Sequence, residues 1–159
     1  NFEEIEKKLG SLNNKEEICN FLDTFNLDLE PVLFPKINEN INECFNFDTV
    51  EEIIDAVEKK NDDWSKETLN LINKMSPTSL KITLKQLRSA KGMTLSEDLI
   101  MEYRMTQGCM RGYDFYEGVR SVLVDKDHTP TWNPSKISLV TEEIVEEHFK
   151  PLGTEDLIL

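Results

Sequence analysis

The stretch that decides the fold is Cys109-Met110-Arg111-Gly112-Tyr113-Asp114-Phe115-Tyr116-Glu117-Gly118-Val119-Arg120, which runs on through Lys126 to Trp132. It reads as a helix end, a sharp turn, a new helix start and an extended exit. Glycine tolerates the left-handed backbone that often closes a helix, so Gly112 is expected to adopt it. Asp114 is placed to accept the orphan amide hydrogens of the next helix, and Glu117 to supply the other half of a capping box. The same two carboxylates could form an acid–base pair; at a helix start, capping is the simpler account. Gly108 and Gly118 fall inside helices, where glycine costs about 1 kcal/mol relative to alanine, so each is expected to admit a close neighbour.

Upstream, Thr94 with Glu97 is a capping box opening a long helix that reaches Arg111. Leu95, Leu99, Ile100, Met101, Tyr103, Met105, Cys109 and Met110 cover most of its circumference. Such a helix is buried from more than one side and calls for neighbours outside this chain. Before it, Ser76-Pro77 starts a helix with an apolar stripe at Leu80, Leu84 and Leu87. Lys81, Lys85 and Arg88 form a cationic stripe on an adjoining face, and Gly92 ends the element. Downstream, Pro130 and Pro134 set an extended path that Trp132 anchors. Thr141 caps a last short helix, Pro151 and Gly153 end it, and the final residues are expected to be loose.

The N-terminal half reads as five helices. Phe2, Ile5 and Leu9 share one face and Gly10 stops it; a second helix from Asn14 buries Ile18, Phe21, Leu22 and Phe25. Residues 26–31 read as a connection. Leu33, Ile37, Ile41 and Phe45 recur every four residues, with Pro35 near the start of that helix. Thr49 and Glu52 open a fourth helix that closes at Lys59-Lys60; Asn61-Asp62-Asp63 breaks it and caps a fifth bearing Trp64, Leu69, Ile72 and Met75. No alternating strand pattern and no fixed repeat occurs. The expected fold is therefore all-α, about eight or nine helices. An acidic segment (1–75) and a C-terminal segment (76–159) are read as one continuous domain.

The net charge is −13 over 159 residues, which argues against nucleic acid, since a phosphate backbone needs clustered cations. Residues 1–63 carry 17 acids and 6 bases, whereas residues 76–126 carry 8 bases and 6 acids. A mildly basic island thus sits in an acidic chain. No apolar run approaches the roughly 18–20 residues of a membrane span, so no membrane partner is expected. Cys19, Cys44 and Cys109 are widely spaced and odd in number, favouring free thiols in a reducing compartment. His128 and His148 lack a second histidine or cysteine at ligand spacing, so no metal is expected. There is no phosphate loop and no nucleophile elbow, and Cys109 reads as a core thiol. The best functional candidate is the cationic stripe with Arg111, Arg120 and Lys126; the bland alternative is a solvated helix face. The chain opens on Asn1 without methionine and is read as a piece of a longer protein.

The motif runs carry a resemblance. Lys74-Met75-Ser76-Pro77-Thr78-Ser79-Leu80-Lys81-Ile82-Thr83-Leu84, Met101-Glu102-Tyr103-Arg104, and Cys109-Met110-Arg111-Gly112 with Asp114-Phe115 and Glu117-Gly118-Val119-Arg120 resemble the C-terminal region of the 3-hydroxyisobutyryl-CoA hydrolases. These belong to the crotonase (enoyl-CoA hydratase) superfamily. Asp125-Lys126-Asp127, Pro130 and Trp132 continue the likeness, as do Thr141-Glu142-Glu143 and His148-Phe149-Lys150; residues 1–48 resemble the family loosely. The resemblance implies a thioesterase of valine breakdown in the mitochondrial matrix, converting 3-hydroxyisobutyryl-CoA to the free hydroxy acid and CoA. It implies an oxyanion hole and a carboxylate in a preceding βα core, so no catalytic residue is expected in this chain. These helices would pack on that core. No separate cofactor is implied, because CoA is part of the substrate.

By the same resemblance Lys126 lies where related hydratases place a lysine near the CoA phosphates. This chain departs from the superfamily pattern in carrying Asp127 where a second cation is common, and Pro130 one residue further along. Two other readings stay open: a hydratase or isomerase relative, and an independent acidic helical interaction module. The isolated piece is expected to expose apolar surface and to self-associate.

Overall fold

The computed structural model describes residues 2–25 and 34–159, and among these it contains nine α-helices and no strand. The all-α expectation holds. The expected connection at 26–31, Leu33 of the third helix, and the side chains of Pro35 and Ile37 lie outside the described residues. The chain divides into two compact units, residues 1–39 and 40–159.

In the first unit, α1 (Phe2–Leu9) ends at Gly10 as read, and α2 (Lys15–Asp23) starts on Asn14, whose side chain accepts the Glu17 amide at 2.9 Å. No residue of either helix is fully buried. Ile18 and Phe21 are half-buried, but Leu22 and Phe25 are exposed, which corrects the four-residue buried face. Phe25 instead meets Phe21 edge to face at 5.1 Å. Helix α3 (Phe34–Cys44) runs across the boundary between the units. Within the second unit its buried positions are Asn40 and Cys44, while Ile41 and Phe45 lie partly open.

Unit two begins with caps that the sequence announced. Thr49 and Glu52 make both bonds of a capping box at the start of α4 (Val50–Lys60). Asn61 takes the left-handed conformation (φ 47°) that asparagine tolerates, and Asp62 then caps α5 (Asp63–Ile72) with Ser65 as the reciprocal partner. Ser76 caps α6 (Pro77–Ser89), with Pro77 at the first turn where a missing amide hydrogen is no loss. Thr94 and Glu97 box the start of α7 (Leu95–Arg111).

Helix α6 sits between two cores. On one side Ile82 joins Met101, Met105, Val140 and Val145; on the other Leu84 packs against Cys44, Ile53 and Val57. The last of these groups is drawn from α3 and α4, and the first from α7 and from α9 (Glu142–Glu146) with the residue before its cap. The leucine stripe is only partly covered: Leu80 and Leu84 are half-buried and Leu87 is 67% exposed, while the fully buried positions are Pro77, Thr78 and Ile82. On α7 only Met101 and Met105 are buried, and Leu95, Leu99 and Met110 face outward. The expected apolar surface is present.

The cationic stripe holds these layers together. Lys81 pairs with Glu51 of α4 at 2.7 Å and donates to the Val140 carbonyl at 3.0 Å. Lys85 pairs with Glu142 and Glu146 of α9, and its ammonium lies 5.2 Å from the Phe149 ring centre. Arg88 donates to the carbonyls of Phe45 and Phe47. Three cations on one face thus become three cross-links from α6 to its neighbours, their aliphatic stems covering apolar surface on the way. They are not simply a solvated face. Near the C-terminus Asp156 is tied down, since Arg104 of α7 donates from Nε to both its oxygens at 2.9 and 3.0 Å, while Ile158 and Leu159 beyond it stay exposed.

Candidate functional site

The motif stretch folds as the end of α7, a break at Gly112, α8 (Tyr113–Val119) and a π-helical continuation over Arg120–Val124. Gly112 is extended (φ −84°, ψ 165°), not left-handed, and serves both as the cap of α7 and as the start of α8. A Cβ on Gly112 would touch the Cys109 carbonyl oxygen at 3.4 Å.

Neither Asp114 nor Glu117 caps α8, whose start has no side-chain cap. With the helix beginning at Tyr113, both residues lie inside it and turn toward other parts of the chain. Asp114 accepts the Ser76 hydroxyl at 2.5 Å and the Asn133 amide at 2.8 Å. It ties the start of α6 to the extended exit. Glu117 is buried, yet each of its oxygens is engaged: Arg120 donates from Nε and Nη2 at 2.8 Å each, and the Thr131 amide donates at 2.7 Å. The Arg120 guanidinium, then the Thr131 amide, pulls the Glu117 carboxyl from its ordinary 4.5 down to about 2. A carboxylate with so little proton affinity and both oxygens occupied is no general base. Neither residue caps the helix, and both spend their oxygens on bonds within the chain.

Arg120 is the centre of the cluster, a role that its helix-face spacing alone does not reveal. Besides Glu117 it contacts Asp125 at 2.7 Å and Asp127 at 2.6 Å through Nη1. The other Asp127 oxygen accepts the hydroxyl of the fully buried Ser121 at 3.0 Å and the Thr129 amide at 2.9 Å. The guanidinium, first, and these two donors hold the Asp127 carboxyl far below the usual carboxylate range. Only the i,i+3 pair Glu117–Arg120 was readable from spacing; the remaining bonds need the loop to fold back.

That loop presents Lys126. Its backbone is left-handed (φ 56°), as is that of His128 (φ 55°), a conformation that L-residues adopt only where surroundings hold them. The side chain is exposed, and among the described residues no hydrogen bond or ion pair engages its ammonium. Of the six cations singled out, Lys81, Lys85, Arg88 and Arg120 are committed to partners, and Arg111 donates to the Gln107 carbonyl. Lys126 alone is uncommitted.

Trp132 secures the exit as expected. Its indole N–H donates to the Lys74 carbonyl at 3.0 Å, and its ring lies 3.5 Å from where a Cβ on Gly118 would sit. Beneath it a cavity of about 550 Å³ opens between α6, α7 and α8, lined by Met75, Ile82, Cys109, Phe115 and Ile144 among others. Burial pushes the Cys109 thiol up, which disfavours its thiolate form. The cavity's lining is mostly apolar, with Ser76, Asp114 and His148 among the polar groups that face it.

A family model described as Enoyl-CoA hydratase/isomerase matches residues 1–149. The chain belongs to the enoyl-CoA hydratase/isomerase family. The match includes residues 1–48, where motif runs alone were a weak guide. This family member is 46% identical over 160 residues to mitochondrial 3-hydroxyisobutyryl-CoA hydrolase of Homo sapiens, covering 96% of the chain and 42% of the relative. It is 51% identical over 126 residues to the Mus musculus protein of the same name, covering 79% of the chain and 33% of the relative. Among solved structures it resembles a carnitinyl-CoA dehydratase from Mycobacterium thermoresistibile (TM-score 0.71, 35% identity, 78% of this chain and 36% of that one). An enoyl-CoA hydratase from Rhodobacter sphaeroides gives a TM-score of 0.73 at 27% identity, over 91% and 44% of the two chains. The family member spans about two-fifths of the human relative's length, and its helices are those of the helical C-terminal region of a crotonase fold.

Proposed function

We propose that the chain is the C-terminal part of an acyl-CoA thioester hydrolase acting on 3-hydroxyisobutyryl-CoA. Water adds to the thioester carbonyl, the C–S bond breaks, and 3-hydroxyisobutyrate and CoA leave. The observation that carries this is the 46% identity to a curated hydrolase of that name over 96% of the chain. The engaged state of Asp114 and Glu117 agrees with a catalytic carboxylate and oxyanion hole supplied by a βα core outside these 159 residues. Tyr113, Tyr116, Val122, Leu123 and Val124 are exposed along α8 and its continuation. That apolar strip suits packing on such a core, and in an isolated piece it favours self-association.

In this reading Lys126 binds the nucleotide end of CoA, and no separate cofactor takes part. The mitochondrial names of the curated relatives support a mitochondrial location, and a place in valine breakdown would put the enzyme in the matrix. The solved relatives favour a second reading, hydration or dehydration of an acyl-CoA. Thiol release from 3-hydroxyisobutyryl-CoA by the full-length protein, measured beside hydration of an enoyl-CoA, separates the two. Hydration without thiol release overturns the hydrolase.

A further inference from the structure

Resting on the reading of Lys126 as the nucleotide contact, we propose that Asp127 is its positioning residue. The carboxylate, clamped by Arg120, Ser121 and Thr129, locks the 125–129 loop so that Lys126 projects alone.

By charge, an aspartate beside a phosphate-binding lysine is unhelpful, because it repels the same anion. Two such acids, Asp125 and Asp127, flank Lys126, and Glu117 adds a third to the cluster. Against Arg120 and Lys126 the five groups sum to one net negative charge. The geometry explains how a lysine can serve there. Both flanking carboxylates turn to Arg120 at 2.6–2.7 Å and leave the lysine unpaired. Asp127 does more than Asp125, since its second oxygen takes a side-chain hydroxyl and a backbone amide. The His128 amide closes the turn onto the Ser121 carbonyl at 3.2 Å. Asp127 therefore sits between two residues held at positive φ, Lys126 and His128. Without its three donors bound, the turn keeps only the Asp125 and His128 backbone bonds and the Arg120 contacts to Asp125 and Thr129, and relaxation at Lys126 would redirect the side chain.

The two roles open to Asp127 predict opposite signs. If it acts only as a charge, Asp127→Asn removes a repulsion and lowers KM for the CoA thioester. If it positions Lys126, the same change raises KM, because the amide cannot bind Arg120 and the Thr129 amide as a carboxylate does. The test is steady-state hydrolysis of 3-hydroxyisobutyryl-CoA by the full-length enzyme. Lys126→Ala is expected to raise KM roughly threefold to tenfold with kcat unchanged, as for loss of one solvent-facing charge-assisted contact. Asp127→Asn is expected to raise KM at least about twofold, and the double variant to be no worse than Lys126→Ala alone. An unchanged KM in Lys126→Ala overturns the lysine contact itself. A raised KM there with a lowered or unchanged KM in Asp127→Asn, or additive effects in the double variant, overturns the positioning role only. Should Asp127→Asn fold poorly by far-UV circular dichroism, Ser121→Ala removes one of the three donors and should raise KM in the same direction; a folded Ser121→Ala with unchanged KM overturns the proposal.

Discussion

Gly108 and Gly118 are both interior helical glycines, and propensity alone gives both alanine variants the same sign, a gain of about 0.8–1 kcal/mol. Their surroundings separate them. A Cβ on Gly108 would lie 2.7 Å from His148 Cδ2, 2.9 Å from its Cα and 3.0 Å from its Cγ. The second of these is backbone, and His148 cannot swing aside: its amide donates to the Val145 carbonyl at 3.1 Å, and its Nδ1 bonds the Ile144 carbonyl at 2.9 Å. The end of α9 must shift as a unit, at an overpacking cost of about 1–3 kcal/mol. Set against the propensity gain, Gly108→Ala should destabilise by up to about 2 kcal/mol. On Gly118 the added methyl meets only the Trp132 ring, at 3.5 and 3.8 Å. That is ordinary contact, so Gly118→Ala should keep most of the gain and stabilise by about 0.5–1 kcal/mol. Urea denaturation followed by tryptophan fluorescence reads both. With a slope of about 1–3 kcal/mol per molar urea, the two midpoints should move in opposite directions. A Gly108→Ala variant as stable as Gly118→Ala would refute the close packing of α7 on the end of α9.

Glu117 gives a pH signature: its carboxyl is depressed from 4.5 to about 2 in the fold, so it stabilises above pH 4.5 and that contribution is lost as pH falls toward 2. Glu117→Gln should therefore be less stable at neutral pH, and the gap should close between about pH 4.5 and 2 in urea titrations across that range. Met105 is buried and central to its cluster, so Met105→Ala should cost about 2–5 kcal/mol, whereas Leu87→Ala, at a position 67% exposed, should stay within about 0.5 kcal/mol; thermal unfolding distinguishes them. Thr49→Ala removes a capping bond and should cost about 1 kcal/mol, visible as a lower unfolding midpoint.

The helix starts were legible because capping is local. Asn14, Thr49, Asp62, Ser76, Thr94 and Thr141 each bond an amide three residues away, and three residues of sequence suffice to show it. The same reasoning failed at Asp114 and Glu117, where the local pattern was satisfied and the partners lay elsewhere. Asp114 bonds across 38 residues to Ser76, and Glu117 across 14 to Thr131. The cationic stripe failed in the same way, because nothing within one turn of Lys81, Lys85 or Arg88 names Glu51, Glu146 or the Phe47 carbonyl as partner. Lys126 was named from a resemblance, while the clamp around it was not visible at all, since Arg120, Ser121 and Asp127 meet only when the loop folds back on the π turn.

By itself, then, the sequence determined the all-α architecture and the family, through hydrophobic periods, caps and motif runs that act within a few residues. The tertiary structure decided which of the charged side chains singled out in the sequence are committed to partners and which is left unpaired. The physical reason is that an ion pair or a buried carboxylate is settled by what lies within about 3 Å in space, and chain spacing constrains that only along a single helix. Of the six cations singled out in the sequence, folding engages five and leaves Lys126 exposed and unpaired.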